Sequence, residues 1–331
     1  GKMAQNQGKY EEARGLYEQS LEIGEQLGDQ SERASILHDL GSLAYLQGSY
    51  EEARERYEQS LEIKERLGNQ RGQATSLHQL GKIAQDQGNY EEARELYEQG
   101  LETFELFGDQ RGRASCLHSL GNLAYLQGNY EEACGLYEQS LEIKELLGDQ
   151  NGRANSLHEL GKIAQDQGKY EEARGLYEQG LEIKGQLGDQ NGRAISLHSL
   201  GLIAQQQGNY EEAWGLYEQS LEIAEQLGDQ RGRATSLHQL GMIARQQENY
   251  EKARELDQQS LEIAEQLGDQ SGRASCLHSL GNLAYLQGNY EEAQELYEQS
   301  LQIEERLGNQ SGRANSLGQL GKIAQDQGNY K

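Results

Sequence analysis

Residues 69–107, NQRGQATSLHQLGKIAQDQGNYEEARELYEQGLETFELF, spell out two helices and the turn between them. Asn69 follows Gly68 and stands where a helix cap belongs, ahead of Ala74, Leu77, Leu80, Ile83 and Ala84, whose spacing draws one apolar stripe. Gly88 stops that helix. Asn89 then caps a second one with Glu92 at N3, a capping-box arrangement, and the Glu91–Glu92 pair falls where the helix dipole favours negative charge. Tyr90, Ala93, Leu96, Tyr97, Leu101 and either Leu106 or Phe107 are expected on its buried side, and Gly108 supplies a left-handed terminus.

The same unit returns every 40 residues without insertion or deletion, opening on Gly1, Gly41, Gly81, Gly121, Gly161, Gly201, Gly241, Gly281 and Gly321. The expected organisation is one solenoid over 1–331, with periods 1–40, 41–80, 81–120, 121–160, 161–200, 201–240, 241–280 and 281–320 and a partial unit 321–331. A lone two-helix hairpin cannot bury these stripes, so stability must come from stacked neighbours. The first period opens part-way through a helix and the last closes as another should begin, which suggests a segment of a longer array.

Composition excludes more than it names. The 331 residues hold 41 glycines, no proline, 35% hydrophobic residues and a formal charge of −25, with mean hydropathy −0.91. Such values describe many disordered chains, but here the apolar residues recur at fixed positions. No apolar run is long enough for a membrane span, and no secretory leader pattern opens the chain. Cys116, Cys134 and Cys276 are odd in number and far apart, which fits a reducing, cytoplasmic setting and neither a disulfide framework nor a zinc site. A chain this acidic is repelled by phosphate backbones and anionic lipid, so neither nucleic acid nor membrane is an expected partner.

Leu77, Leu80-Gly81, Ala84, Gly88, Tyr90, Ala93 and Tyr97 resemble the spacing of the tetratricopeptide repeat, and the resemblance covers the whole chain. Two features depart from that family: Ser60, Gly100 or Ser140 stands at its late second-helix alanine, and its terminal proline is missing. The second helix is longer, giving 40 residues rather than about 34. This long variant resembles the repeats of kinesin light chains, cell-polarity adaptors, bacterial peptide-pheromone receptors and the sensor arrays of large signalling NTPases. The resemblance implies an all-α fold, a right-handed superhelical solenoid of antiparallel helix pairs, with first helices lining a concave groove that binds proteins or peptides.

Comparison among the repeats themselves locates the variation. It gathers in the first helix at the equivalents of residues 75, 79, 82, 85 and 86, opposite the Leu77–Leu80–Ala84 stripe, and His78 shares that sector. A ligand-reading groove and simple drift of exposed positions are both open; outer positions such as Glu58 and Gln59 change less, which favours the groove. Ser42-Tyr45-Leu46, Asn122-Tyr125-Leu126 and Asn282-Tyr285-Leu286 form an aromatic class. Lys82-Gln85-Asp86, Lys162-Gln165-Asp166 and Lys322-Gln325-Asp326 form a polar class, while Leu202-Gln205-Gln206 and Met242-Arg245-Gln246 stand apart. Lys and Asp at i and i+4 are spaced for an intrahelical pair; Tyr and Asn are suited to a peptide, or Tyr45 and its equivalents fill space between first helices. Lys2, Lys82, Lys162, Arg245 and Lys322 balance Asp39, Asp86, Glu159, Asp166 and Asp326, so this face is near neutral and the excess acid lies outside, as solubility and self-repulsion.

His38, His78, His118, His158, His198, His238 and His278 occupy one repeat position, replaced in the eighth copy by Gly318. Single histidines one helix spacing apart, about 8–10 Å, cannot converge on a metal ion, so no metal is expected. They are read as groove-wall residues bonded to a neighbouring helix, or as groups titrating near pH 6.5. Asp257 replaces the otherwise repeated tyrosine and Glu248 the turn glycine, which puts the weakest packing around 248–257. No nucleophile–base constellation and no nucleotide-binding glycine loop is present, so neither catalysis nor a cofactor is expected. The family's two-carboxylate clamp for acidic C-termini is matched by Asn122 and Asn282 only, since His118 and His278 stand at its lysine position. The reading that follows is a non-catalytic protein-interaction scaffold with His38, Ser42, Tyr45, His78, Lys82, Asp86, His118, Asn122, Tyr125, His158, Lys162, Asp166, His198, Leu202, His238, Met242, Arg245, His278, Asn282 and Tyr285 on its groove. The alternative is a sensory or autoinhibitory array of a larger signalling protein.

Overall fold

A computed structural model describes residues 2–328, with side chains from residue 9 onward. Gly1, the Lys2 side chain counted above on the variable face, and residues 329–331 of the partial unit lie outside the described residues. All regular structure among the described residues is helical. The helices are α1 (Lys2–Leu27), α2 (Gln30–Leu46), α3 (Tyr50–Arg66), α4 (Gln70–Asp86), α5 (Tyr90–Leu106), α6 (Gln110–Leu126), α7 (Tyr130–Leu146) and α8 (Gln150–Asp166). They continue as α9 (Tyr170–Gln186), α10 (Gln190–Gln206), α11 (Tyr210–Leu227), α12 (Gln230–Gln246), α13 (Tyr250–Leu267), α14 (Gln270–Leu286), α15 (Tyr290–Leu307) and α16 (Gln310–Asp326). Even-numbered helices are the first members of the repeat. The chain divides into two compact units, Gly1–Ile163 and Ala164–Lys331. Each is an all-α helical solenoid: successive helices pack on one another, and α4 also meets α6 in the first unit as α12 meets α10 and α14 in the second.

The turns follow from two devices. Asn69 accepts a hydrogen bond from the Gly72 amide, as Asp109 and Asp189 do from Gly112 and Gly192, which satisfies a free N-terminal donor of each first helix. Gly88 and Gly108 adopt φ of +80° and +65°, the left-handed geometry that a Cβ disfavours. The capping box expected at Asn89 is not formed. Its Glu92 accepts instead from Arg54 of the preceding second helix at 2.6 Å, an interaction with a fully charged partner that outcompetes a backbone amide.

That contact is one rung of a ladder. Arg14–Glu52, Arg94–Glu132, Arg174–Glu212 and Arg254–Glu292 repeat it at 2.6–2.9 Å. Part of the outer acid is therefore paired between successive second helices, although the net −25 already counts these arginines. Cys134, Trp214 and Gln294 take the arginine position elsewhere, and Trp214 packs against the core.

The core is built on a glycine–tyrosine contact. Tyr57, Tyr97, Tyr137, Tyr217 and Tyr297 are at most 1% exposed. Each ring lies on the backbone of its partner first helix, where a Cβ at Gly41, Gly81, Gly121, Gly201 or Gly281 would sit 2.6–2.9 Å from ring carbons. In these five periods the opening glycine is thus a seat for an aromatic ring, whereas Gly241 meets the Asp257 carboxylate instead. Ser60, Ser140 and Ser300 occupy the family's alanine position and donate to the carbonyls of Ala34, Ala114 and Ala274 in the paired first helix. Leu80, Ile83, Ala84 and Ala93 are buried as expected, while Leu77, Leu96 and Leu101 are half-buried. Leu106 and Phe107 are 76% and 55% exposed, contrary to expectation, and Phe104 is buried in their place. Ala93, Tyr97, Gly100 and Phe104 keep helical register, and the next two positions swing outward just as the helix ends.

Residues 248–257 carry both departures flagged in the sequence, but the loose packing expected there is not what Asp257 shows, since it and Leu256 are buried. Glu248 is the one non-glycine residue with positive φ among those described, at 61°. Glu248→Gly is expected to stabilise the protein by about 1 kcal/mol, because a side chain in left-handed geometry costs about that much. Matched urea melts check it; an unchanged midpoint refutes the strain.

Candidate functional site

The first-helix face is organised by the need to satisfy the buried tyrosine hydroxyls. In the aromatic class Tyr57 donates to Ser42 Oγ at 3.0 Å, Tyr137 to Asn122 Oδ1 at 2.5 Å and Tyr297 to Asn282 Oδ1 at 2.8 Å. Elsewhere the acceptor moves three residues along the helix: Tyr97 donates to Gln85, and Tyr177 and Tyr217 to Gln165 and Gln205, at 3.0–3.1 Å. The two classes are two solutions to one buried donor. Where residue 85's equivalent is tyrosine, residue 82's equivalent must accept. The Asn122 and Asn282 amides, expected to meet a peptide from both ends, each have the oxygen engaged, which leaves the NH₂ as the free end.

The classes also complete each other across the repeats. Tyr45 donates to Asp86 at 2.5 Å and Tyr285 to Asp326 at 2.6 Å. Lys82 Nζ lies 4.8 Å above the Tyr45 ring, and Lys162 Nζ 4.2 Å above Tyr125. Asp86 therefore serves the tyrosine of the preceding first helix and not the Lys82 of its own, as intrahelical pairing would have had it. Geometry decides: the phenol reaches the carboxylate directly, whereas an exposed i,i+4 pair contributes only a few tenths of a kcal/mol, about 0.3–0.5. Tyr45 and Tyr285 are half-buried, meet the rings of Tyr50 and Tyr290 at a tilt, and pack against the hydrophobic clusters, so they do fill space between helices. Leu202 likewise packs on a core cluster. What protrudes beside them is Leu46, Leu126 and Leu286, 65%, 51% and 53% exposed.

All seven histidines are half-buried. The rings of His38, His78, His118, His198 and His278 lie 5.0–5.4 Å from the buried tyrosine of their own repeat. His78 Nε2 shares a hydrogen bond with Ser119 of the next first helix at 3.0 Å. Burial, helped by Lys64, Lys82 and Lys144 respectively, pushes His38, His78 and His118 down to about 4, and burial does the same to His198. Titration near 6.5 is therefore not the behaviour of these four. His238 is different. Its Nδ1 meets Asp257 Oδ1 at 2.8 Å, and although burial opposes the charge, the carboxylate overrides it and lifts the imidazole to about 9.

Asp257 itself is fully buried and accepts from Ser279 Oγ at 2.7 Å. Its place in the pattern is intelligible. With Met242 and Arg245 at the two positions that elsewhere accept the tyrosine hydroxyl, this repeat has no acceptor, and the tyrosine is gone. A His–Asp–Ser cluster fills the position instead of loosening it. No group of three or more His, Cys, Asp or Glu side chains among the described residues is arranged to hold a metal ion. No described helix is long and apolar enough to cross a membrane.

A tetratricopeptide repeat family model matches residues 1–66, 72–146, 117–186, 192–266, 232–306 and 272–331. No curated protein matches the sequence. Among solved structures, the chain is similar to a signal transduction ATPase with numerous domains carrying a tetratricopeptide repeat sensor, from Pyrococcus horikoshii, at TM-score 0.74 and 18% identity over 94% of this chain and 46% of that one. It is similar to a Rap protein complexed with Competence and Sporulation Factor, at TM-score 0.59 and 16% identity over 96% and 94% of the two chains. A putative kinesin light chain with nearly identical repeats from Podosopora anserina matches 60% of this chain and 98% of its own, at 26% identity and TM-score 0.50.

Proposed function

The chain belongs to the tetratricopeptide repeat family, whose members are generally non-catalytic protein-interaction modules, and from that premise we propose that its first-helix face binds an extended peptide or a helix of a partner protein. One observation carries the reading. In a chain of nearly identical repeats, the face that differs from copy to copy is also the one where Leu46, Leu126 and Leu286 stand in solvent beside anchored tyrosines. Exposed apolar side chains flanked by rigid aromatic and polar groups are the composition of a binding hot spot. The candidate groove keeps the residues named from the sequence, with tyrosines, Ser42 and Asn122 as fixed walls and the leucines as contacts.

The choice of variant matters. Asn122→Ala orphans the Tyr137 hydroxyl and confounds binding with stability. Glutamate in place of Leu46, Leu126 and Leu286 leaves every such bond intact. This triple variant is expected to lose at least tenfold in capture of peptides selected from a random library against the wild type, about 1.4 kcal/mol, with unchanged helical circular dichroism. Equal capture by both proteins sinks the proposal.

A further inference from the structure

Within the second unit a cavity of about 440 Å³ opens between α12, α14, α15 and α16. Three of the chain's departures from its own repeat meet there. Arg245 replaces a tyrosine or glutamine, Asp257 replaces the buried tyrosine and holds His238 and Ser279 of the cavity wall, and Glu304 replaces Lys64, Lys144 and Lys184 of the other copies. In a sequence this repetitive, drift would scatter such changes. They converge on one cavity.

Glu304 is the informative residue. The lysines it replaces are buried and paired: Lys64 and Lys144 donate to Ser76 and Ser156 at 3.0 and 2.9 Å, and Lys184 meets Asp189 at 2.9 Å. Glu304 is 6% exposed, and its Oε2 is buried with no hydrogen-bond donor. The absence of a side chain at Gly312 makes the room, since a Cβ there would come within 2.4 Å of the carboxylate carbon. A buried carboxylate oxygen without a donor is costly, and a cation is what it lacks. On the same cavity wall the Arg245 guanidinium has no ion-pair partner among the described residues. Asn282 contributes its free NH₂, because Tyr297 occupies its oxygen.

We propose that this cavity is a specificity pocket for a basic residue of the bound peptide, with the ligand's ammonium or guanidinium against Glu304 and a neighbouring carboxylate of the ligand against Arg245. The volume suits one long side chain with its backbone and little more. This rests on the first-helix face being a peptide-binding face, and it assigns the chemistry read at one place on it. Elsewhere in the chain the equivalent position is glycine, lysine, phenylalanine or alanine, so only this repeat would select a cation.

The probe is N-acetyl-arginine, followed by chemical-shift titration of the whole chain. Two controls remove one charge each: N-acetyl-citrulline lacks the guanidinium charge and N-acetyl-arginine amide lacks the carboxylate. The wild type is expected to bind N-acetyl-arginine about tenfold tighter than either control, the usual worth of one charge-assisted contact. Glu304→Gln should erase the preference over citrulline, and Arg245→Gln the preference over the amide. Without ligand, Glu304→Gln should leave the melting temperature unchanged or raise it, because it removes an unmatched charge. A lowered melting temperature would mean that the carboxylate is held by the first turn of α16 and serves stability, which overturns the pocket. Equal binding of arginine and citrulline by the wild type overturns it as well. Neither result touches the leucine test, so loss of the pocket and loss of the binding face are distinguishable.

Discussion

Tyr97→Ala is expected to destabilise the protein by about 3–5 kcal/mol, the range for truncating a large buried aromatic. Tyr97 is 1% exposed, its ring lies on Gly81, and Ala84, Ala93, Leu120 and Leu123 enclose it. Those neighbours belong to three helices, so collapse into the cavity would have to move α4, α5 and α6 together. Tyr97→Phe keeps the ring and loses only the bond to Gln85, about 1 kcal/mol. Gln79→Ala, on a half-exposed position of α4, should change stability by no more than about 0.5 kcal/mol. Urea melts of the three variants rank them. A Tyr97→Ala cost below that of Tyr97→Phe would refute the account of the core.

Acidification is expected to unfold the chain steeply between pH 6.5 and 4. His38, His78, His118 and His198 sit near 4 in the folded chain against an ordinary 6.5, and burial also lowers His278. In that window the unfolded chain binds more protons than the folded one, so their contribution is complete above 6.5 and is lost as pH falls towards 4. Each histidine adds a slope of up to about 1.4 kcal/mol per pH unit while it is inside the window. One effect opposes this: protonating carboxylates relieves the self-repulsion of a chain carrying −25, and several histidines acting together outweigh it. His238, raised to about 9, gives a constant contribution below 6.5 that is lost only as pH rises through 9. Urea midpoints at pH 7.5, 6, 5 and 4.5 test the sign, and a flat profile would contradict it. His238→Gln should separately flatten the loss of stability between pH 7 and 9.

Much of this was legible because the repeat is near-perfect. The 40-residue period, Asn69 before one helix, Gly88 and Gly108 after two, and the Leu80–Ala84 stripe all depend on contacts within about four residues, where sequence spacing is spatial spacing. Local rules failed where a distant competitor was stronger. Glu92 left its capping box for Arg54, thirty-eight residues back, and Asp86 left Lys82 for Tyr45, forty-one residues back. Leu106 and Phe107 were misplaced because hydrophobicity alone does not say where a helix stops burying its stripe. Spacing placed the histidines on the groove wall bonded to a neighbouring helix, as His78 is to Ser119, but not their rings against the buried tyrosines. Glu304 was missed although the signal was present: a glutamate in a column of glycine, lysine, phenylalanine and alanine.

The sequence by itself determined the fold class, the period, the helix ends and the face on which the repeats differ. Each of these follows from residue type and spacing along one or two turns. Tertiary structure alone decided which side-chain partners were taken. The Gly81–Tyr97 seat, the migration of the hydroxyl acceptor between residues 82 and 85, the Arg54–Glu92 ladder and the empty side of Glu304 all join residues from different helices. A polar group buried between helices takes the best donor or acceptor within about 3 Å, and that neighbour is set by packing, not by position in the chain.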